Sequence, residues 1–275
     1  MTNLFNYIDR KSPIHALTGA TKLVCLVLWS TACMITFDTR FLVIMPFVAF
    51  ALMKMAKIKY KDISFILNFT LFFMVFNNIV IYLFSPQYGT EIYGTKHFIF
   101  NMTGSYALTL EQLFYHFNQM VKCLAIVPIV ILFVCTTEPS EFAASLNKLK
   151  VPYSVAYSVS LALRYIPDIQ REYHEISQAQ QARGIEMSKK ENIIKRLKAA
   201  SAILIPLILS SMDKIETISN AMELRSFGKY KERTWYRSKP FKKADILSMI
   251  GCAFLVIIAI VLNVVNGGRF FNPFI

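Results

Sequence analysis

Acidic residues are scarce in this chain, and charge of either sign is missing from long stretches of it. Of 275 residues only 17 are Asp or Glu, against 30 Lys or Arg, for a net charge of +13. Five blocks hold no Asp, Glu, Lys or Arg: Leu23 to Phe37, Phe41 to Met53, Ile63 to Phe84, Cys123 to Cys135 and Ile246 to Val265. Such blocks, in a chain that is 55% hydrophobic with a mean hydropathy of +0.44, exclude a soluble globular protein. The five cysteines fall within or at the edges of these blocks without a close pairing motif, so they read as small apolar residues. His15, His97, His116 and His174 lack partners at metal-ligand spacing, and no metal site is expected. There is no GxxxxGK[ST] stretch, and Gly19-Ala20-Thr21-Lys22 lacks the glycine spacing that cradles phosphates; neither ATP binding nor a cofactor is expected.

What is present is an all-α pattern. A bilayer core asks for about 20 mostly apolar helical residues, which the third and fifth blocks supply. The shorter blocks span with help from flanking lysines such as Lys22 and Lys54, which snorkel, and from tilt or local thinning. About five transmembrane helices follow, the second interrupted by Pro46. The basic surplus tracks topology and not nucleic acid. Arg10, Lys11 and Lys22 precede the first span, Lys54, Lys57, Lys59 and Lys61 fill the next turn, and nineteen more Lys and Arg lie between Thr136 and Lys243. The opposite side carries Arg40, Lys96 and Arg269, so the N-terminus is expected in the cytoplasm and the C-terminus outside. No cleaved leader is expected, since the first twenty residues are polar.

Three parts are read along the chain: residues 1–136 with the first spans and an outside loop, 137–228 with cytoplasmic-side helices, and 229–275 with a basic connector and the last span. The loop from Ser85 to Ser105 is rich in Gly, Thr, Tyr and Asn and suits a small strand pair. Thr109 and Gln112 predict a capping box at the start of the fourth span. Thr137-Glu138-Pro139-Ser140-Glu141 starts a short helix to Lys148, which Val151-Pro152 breaks. A long helix over Ala156 to Arg183 follows, roughly 40 Å in length, with Ile169, Tyr173 and Ile176 on one face, Pro167 within it and Gly184 to stop it. A second long helix is predicted from Ser188 to Arg225, with Glu191 and Lys195 as a pair, Ile193, Leu197 and Leu204 on one stripe, Pro206 as a bend and Gly228 beyond its end. Both helices finish on an arginine, and together they read as crossed arms at the inner membrane face.

The chain resembles the transmembrane T component of energy-coupling factor transporters, relatives of ABC importers that take up vitamins and transition-metal ions. The resemblance rests on Ser12-Pro13-Ile14-His15 with Lys22, Thr136-Thr137-Glu138-Pro139, Ala162-Leu163-Arg164-Tyr165-Ile166-Pro167, Ala179-Gln180-Gln181-Ala182-Arg183-Gly184, Ile205-Pro206-Leu207, and Ala221-Met222-Glu223-Leu224-Arg225-Ser226-Phe227-Gly228. It implies that Ala182-Arg183-Gly184 and Leu224-Arg225-Ser226 end coupling helices that dock on two cytoplasmic ABC-type ATPase subunits. The second motif places Leu224 where alanine is usual. The resemblance also implies a membrane-embedded substrate-binding S component as partner, and the apolar middles of the arms, around Tyr153 to Leu163 and Ile203 to Leu209, are the candidate contact surface for it. On this reading the chain is non-catalytic, multi-pass in a bacterial or archaeal cell membrane, and leaves cargo specificity to the S component.

The competing class is a stand-alone secondary transporter or channel, whose sign would be ionisable groups inside the spans; the five blocks have none. Asn68, Asn77, Asn78 and Asn263 suit helix-to-helix hydrogen bonding. An intramembrane enzyme is disfavoured because Ser30 has no His or Lys partner in sequence reach.

Overall fold

The computed structural model describes residues 10, 12–101, 107–185, 193–230, 234–235 and 239–274. The five charge-poor regions are helices: α1 Gly19–Ile35, α2 Thr39–Met55, α3 Tyr60–Phe84, α5 Leu110–Thr136 and α9 Lys243–Val265. Of these, α3, α5 and α9 are long and apolar enough to cross a membrane, whereas α1 and α2 have 17 residues each, about 25 Å of helix. The protein is a multi-pass membrane protein of the all-α class.

The predicted outside loop holds the expected strand pair, β1 Phe98–Asn101 antiparallel to β2 Ala107–Thr109, and also a short helix, α4 Tyr88–Tyr93, that the sequence pattern did not announce. The remaining helices are α6 Pro139–Lys148, α7 Tyr153–Ala182 and α8 Ile193–Leu224. The predicted start at Ser188 and the Glu191–Lys195 pair involve residues outside the described ones. Two compact units result: residues 1–138 with 239–275, and residues 139–238.

The core of the first unit lies between α1, α2, α5 and α9, around Trp29, Leu42, Met45, Ala125, Ile129 and Ala259. Three fully buried carboxylates, each at the start of a helix, tie distant segments together. Asp245 accepts from the backbone N–H of Lys242 at 2.7 Å and of Thr18 at 2.8 Å, joining the first turns of α9 and α1. Asp38 accepts from Arg40 N at 2.9 Å, capping α2, and from Asn266 Nδ2 at 2.8 Å. Glu111 accepts from His97 N at 3.0 Å and from Thr95 Oγ1 at 2.9 Å, which fastens the loop between α4 and β1 to α5. Each carboxylate therefore meets orphan helix or loop N–H donors in the region where the helix dipole favours negative charge.

Thr109 does cap α5, receiving Gln112 N at 3.3 Å, but the reciprocal half of the capping box is absent. The Gln112 side chain turns to Gly89 instead, accepting its N–H at 2.6 Å, while its Nε2 meets His116 Nε2 at 3.0 Å. The close approach requires glycine: a Cβ on Gly89 would lie 2.7 Å from the α5 backbone.

The span α5 is also more charged than its apolar block suggested, since Lys122 falls inside it. This buried ammonium donates to Met34 O at 3.3 Å and lies 3.6 Å from the centre of the Phe37 ring. Arg269 reaches the same helix end, donating from NH2 to Met34 O at 2.8 Å and from Nε to Ile35 O at 3.2 Å. The last carbonyls of α1, which have no partner within their helix, are thus satisfied by two cations.

Candidate functional site at the two arginine tips

The first tip is the end of α7. Arg183 is its C-cap, Gly184 follows in the left-handed conformation at φ +84°, and the chain folds back so that Gly184 N donates to Gln181 O at 3.0 Å and Ile185 N to Gln180 O at 3.1 Å. This is a Schellman stop, in which two backward hydrogen bonds use carbonyls the helix leaves open. Ala182, Arg183 and Gly184 are all exposed.

The second tip repeats the arrangement bond for bond. Ser226 N donates to Glu223 O at 2.9 Å and Phe227 N to Met222 O at 3.0 Å, so that Arg225 occupies the place of Arg183, Ser226 that of Gly184 and Leu224 that of Ala182. The stop is therefore Ser226, at φ 53°, rather than Gly228. A serine there carries the Cβ crowding that glycine avoids. Leu224, Arg225 and Ser226 are exposed, Leu224 to 89%. Helices α2 and α6 stop in the same manner on Lys57 and Lys150, so the backbone geometry alone is a common way to end a helix here. What distinguishes the two tips is an exposed arginine at the capping position, where its charge complements the negative helix end and its guanidinium carries a planar fork of donors.

The two long helices run antiparallel. Gln180 Nε2 donates to Ala202 O at 3.1 Å, Lys214 Nζ to Glu172 Oε2 at 2.7 Å, and Ser210 Oγ to Glu172 Oε1. The Lys214 ammonium and the Ser210 hydroxyl hold the Glu172 carboxyl below its usual range, and the same carboxylate raises Lys214. Continuing along the pair, Phe227 packs on Tyr157 with ring centres 4.7 Å apart and on Tyr153 at 5.7 Å. Trp235 closes this aromatic cluster, 5.4 Å from Tyr153, and its Nε1 donates to Asn147 Oδ1 at 3.1 Å. The Arg225 tip is thereby fastened beside the first turn of α7, and the Arg183 tip stands at the other end of that helix. The 26 residue steps from Tyr157 to Arg183 correspond to about 40 Å of helix.

The apolar middles divide on inspection. Within the predicted Tyr153 to Leu163 stretch, Ala156 is buried and the two tyrosines serve the aromatic cluster, leaving Val155 exposed. In the Ile203 to Leu209 stretch Ile203 is buried, whereas Leu204, Ile205, Ile208 and Leu209 are exposed and continue into Met212 and Ile215. Those positions recur every three to four residues, so they form one greasy stripe along α8. Leu197 is exposed too; the side chain of Ile193 lies outside the described ones.

Sequence reasoning missed the Phe227 cluster and the Glu172 link, because both join residues tens of positions apart. Among the described residues no group of three or more His, Cys, Asp or Glu is placed to hold a metal ion.

Residues 10–236 match the family model described as CbiQ, cobalt transport protein, and both tips lie within the match. Three curated relatives carry the description "energy-coupling factor transporter transmembrane protein EcfT". The one from Leuconostoc gelidum subsp. gasicomitatum is 30% identical over 198 residues, covering 69% of this chain and 70% of the relative. That from Limosilactobacillus fermentum is 32% identical over 155 residues, 52% of this chain and 57% of the relative. The protein from Staphylococcus aureus is 29% identical over 154 residues, 53% and 56%. The matched stretch thus spans little more than half the length of two of these relatives. With a family match over most of the chain, a relative aligned over more than two thirds of its length and an all-α membrane fold, the chain belongs to the CbiQ family of energy-coupling factor transporter transmembrane (T) components.

Proposed function

We propose that this T component is the mechanical coupler of an importer driven by two cytoplasmic ABC-type ATPase subunits. Arg183 docks on one ATPase and Arg225 on the other, and nucleotide-driven movement of those subunits travels along α7 and α8 to a membrane-embedded S component that binds a vitamin or a transition-metal ion. The chain is itself non-catalytic, and its N-terminus and both tips face the cytoplasm. The observation that carries this reading is the pair of identically built tips, each presenting an exposed arginine, set at opposite ends of one antiparallel helix pair. One rigid body with two equivalent contacts about 40 Å of helix apart suits two separate partner subunits. Ala182 allows close approach beside Arg183, and Leu224 supplies an apolar anchor beside Arg225. The exposed stripe from Leu204 to Ile215 is the surface offered to the S component, since apolar side chains at helical spacing fit a greasy partner helix.

Lys122 supports coupling over self-contained transport. Its ammonium is spent on a carbonyl of α1 and on the Phe37 ring, which is a structural use of an intramembrane charge.

The test is reversal of charge at both tips. Arg183→Glu with Arg225→Glu abolishes co-purification of the ATPases and substrate uptake, while each single variant weakens attachment. Breaking one partner of a buried charged contact costs roughly 3–5 kcal/mol. Unchanged assembly and uptake in the double variant would overturn the docking proposal.

A further inference from the structure

Between α1, α2, α5 and α9 lies a cavity of about 250 Å³ that neither the docking tips nor the greasy stripe uses. Its walls are apolar: Leu26 and Trp29 from α1, Leu52 from α2, Ile129 and Leu132 from α5, and Cys252 from α9. The polar lining collects at one end, where α1 and α9 begin and α5 stops. There Lys22 donates to Thr136 O at 2.8 Å, and Ser248, whose hydroxyl donates to Ala244 O, also lines the wall. The cavity opens beside Gly251, an exposed residue at which an added Cβ would meet nothing within 4 Å. Around this mouth α9 turns Leu247, Ile250 and Phe254 outward, all well exposed.

We infer that this cavity takes one hydrocarbon chain of a membrane phospholipid, with the headgroup held at the Lys22, Thr136 and Ser248 end. Three facts combine. The mouth opens on the apolar outer face of a helix long enough to span the bilayer, so what lies against it is acyl chain and not water. The interior is apolar enough to stay dry and to take up a nonpolar molecule. The polarity changes along the cavity in the sense of an amphiphile, with the cationic end where headgroups lie and Trp29 deeper, seven residues or about 10 Å of helix beyond Lys22. A chain seated there lies along the seam between α9 and the rest of its unit, between the Asp245 link to Thr18 at one end and the Asn266 link to Asp38 at the other.

Trp29 is a reporter for this inference. It is 3% exposed, its Nε1 donates to Ala125 O at 2.9 Å, and lipid on the outer surface does not reach it. Trp235 is the only other tryptophan, so Trp235→Phe makes the emission report Trp29 alone. The full chain carrying that change is reconstituted into nanodiscs of phosphatidylglycerol brominated along the acyl chain, and into unbrominated ones. Contact quenching of Trp29 by the brominated lipid is expected. It is lost when Gly251→Phe, or independently Leu132→Phe, fills the space in protein whose circular dichroism is unchanged. Absence of quenching in the parent, or quenching that survives filling, overturns the inference. Quenching that disappears when the chain is assembled with its partners also overturns it, since a partner's side chain would then be the occupant.

Discussion

Ser226 shows how one residue exposes the logic of a tip. The left-handed conformation costs a side-chain-bearing residue roughly 1–2 kcal/mol relative to glycine, yet the second tip accepts it where the first uses Gly184. Ser226→Gly is expected to raise the stability of the chain by about 1 kcal/mol without changing ATPase co-purification, measured by thermal unfolding in detergent. Gly184→Val should act in the opposite direction and distort the Arg183 tip, because a β-branched residue at φ +84° is strained more than serine. If the serine-to-glycine change weakened attachment, the Ser226 side chain would itself belong to the contact surface. Asp245 makes a second residue-scale case. Asparagine there keeps one acceptor of two, so Asp245→Asn should leave either Thr18 N or Lys242 N unsatisfied and cost roughly 1–3 kcal/mol. Hydrogen exchange at the start of α1 and α9 would report the loss, and unchanged protection at both would contradict it.

At the scale of elements, the α7–α8 pair is held by the Gln180 bond to Ala202 toward the Arg183 end, the Glu172 link near its middle and an aromatic cluster at the other end. The Glu172 carboxyl is depressed, so its contribution is present above the usual carboxylate pKa of about 4.3 and disappears as pH falls through the lower folded value. Lys214 is raised, so its share is intact below its usual value of 10.5 and disappears as pH rises through the higher folded value. The link therefore operates across the physiological window. Glu172→Ala at neutral pH should lower amide protection factors around Leu207 to Thr217, and acidification of the unsubstituted chain through the depressed Glu172 value should do the same. Protection left unchanged by the substitution and by acidification would mean the link is idle. Phe227→Ala should loosen the second tip selectively, by roughly 1–3 kcal/mol for the lost ring contacts, with ATPase attachment weakened more at Arg225 than at Arg183.

These same elements show what could be read from residues alone. Charge-free runs located the five apolar helices, since desolvating a charge is too costly for the blocks to be anything else. Pro139, the Val151-Pro152 break and Gly184 marked helix ends correctly, because each restricts the backbone in its own right. The second tip escaped because Gly228 looks like the natural stop, while the carbonyls of Met222 and Glu223 recruit Ser226 and Phe227 earlier. Asp38, Glu111 and Asp245 were invisible as ties: an acid at a helix start reads as a solvated partner of the dipole, and two of these three bind residues more than 200 positions away. That Arg183 and Arg225 stand at helix ends was legible in the sequence, but their equivalence in backbone bonding required the structure.

For the molecule as a whole, the account assigns separate tasks to separate units. The unit around α1, α2, α5 and α9 is stapled by buried carboxylates and cations at its helix ends. The unit from α6 to α8 carries two helix ends of matched backbone geometry, which the proposed function reads as the two contact points of a lever. The central claim is that those points meet energy-supplying subunits in the working transporter. Its most direct test is site-specific photo-crosslinking from Ala182 and from Leu224, one position at a time, in the assembled complex during uptake. The account predicts that both positions crosslink to nucleotide-hydrolysing subunits, each to a different copy, with yields that change when ATP is hydrolysed. A transporting complex in which neither position crosslinks to such a subunit would contradict it.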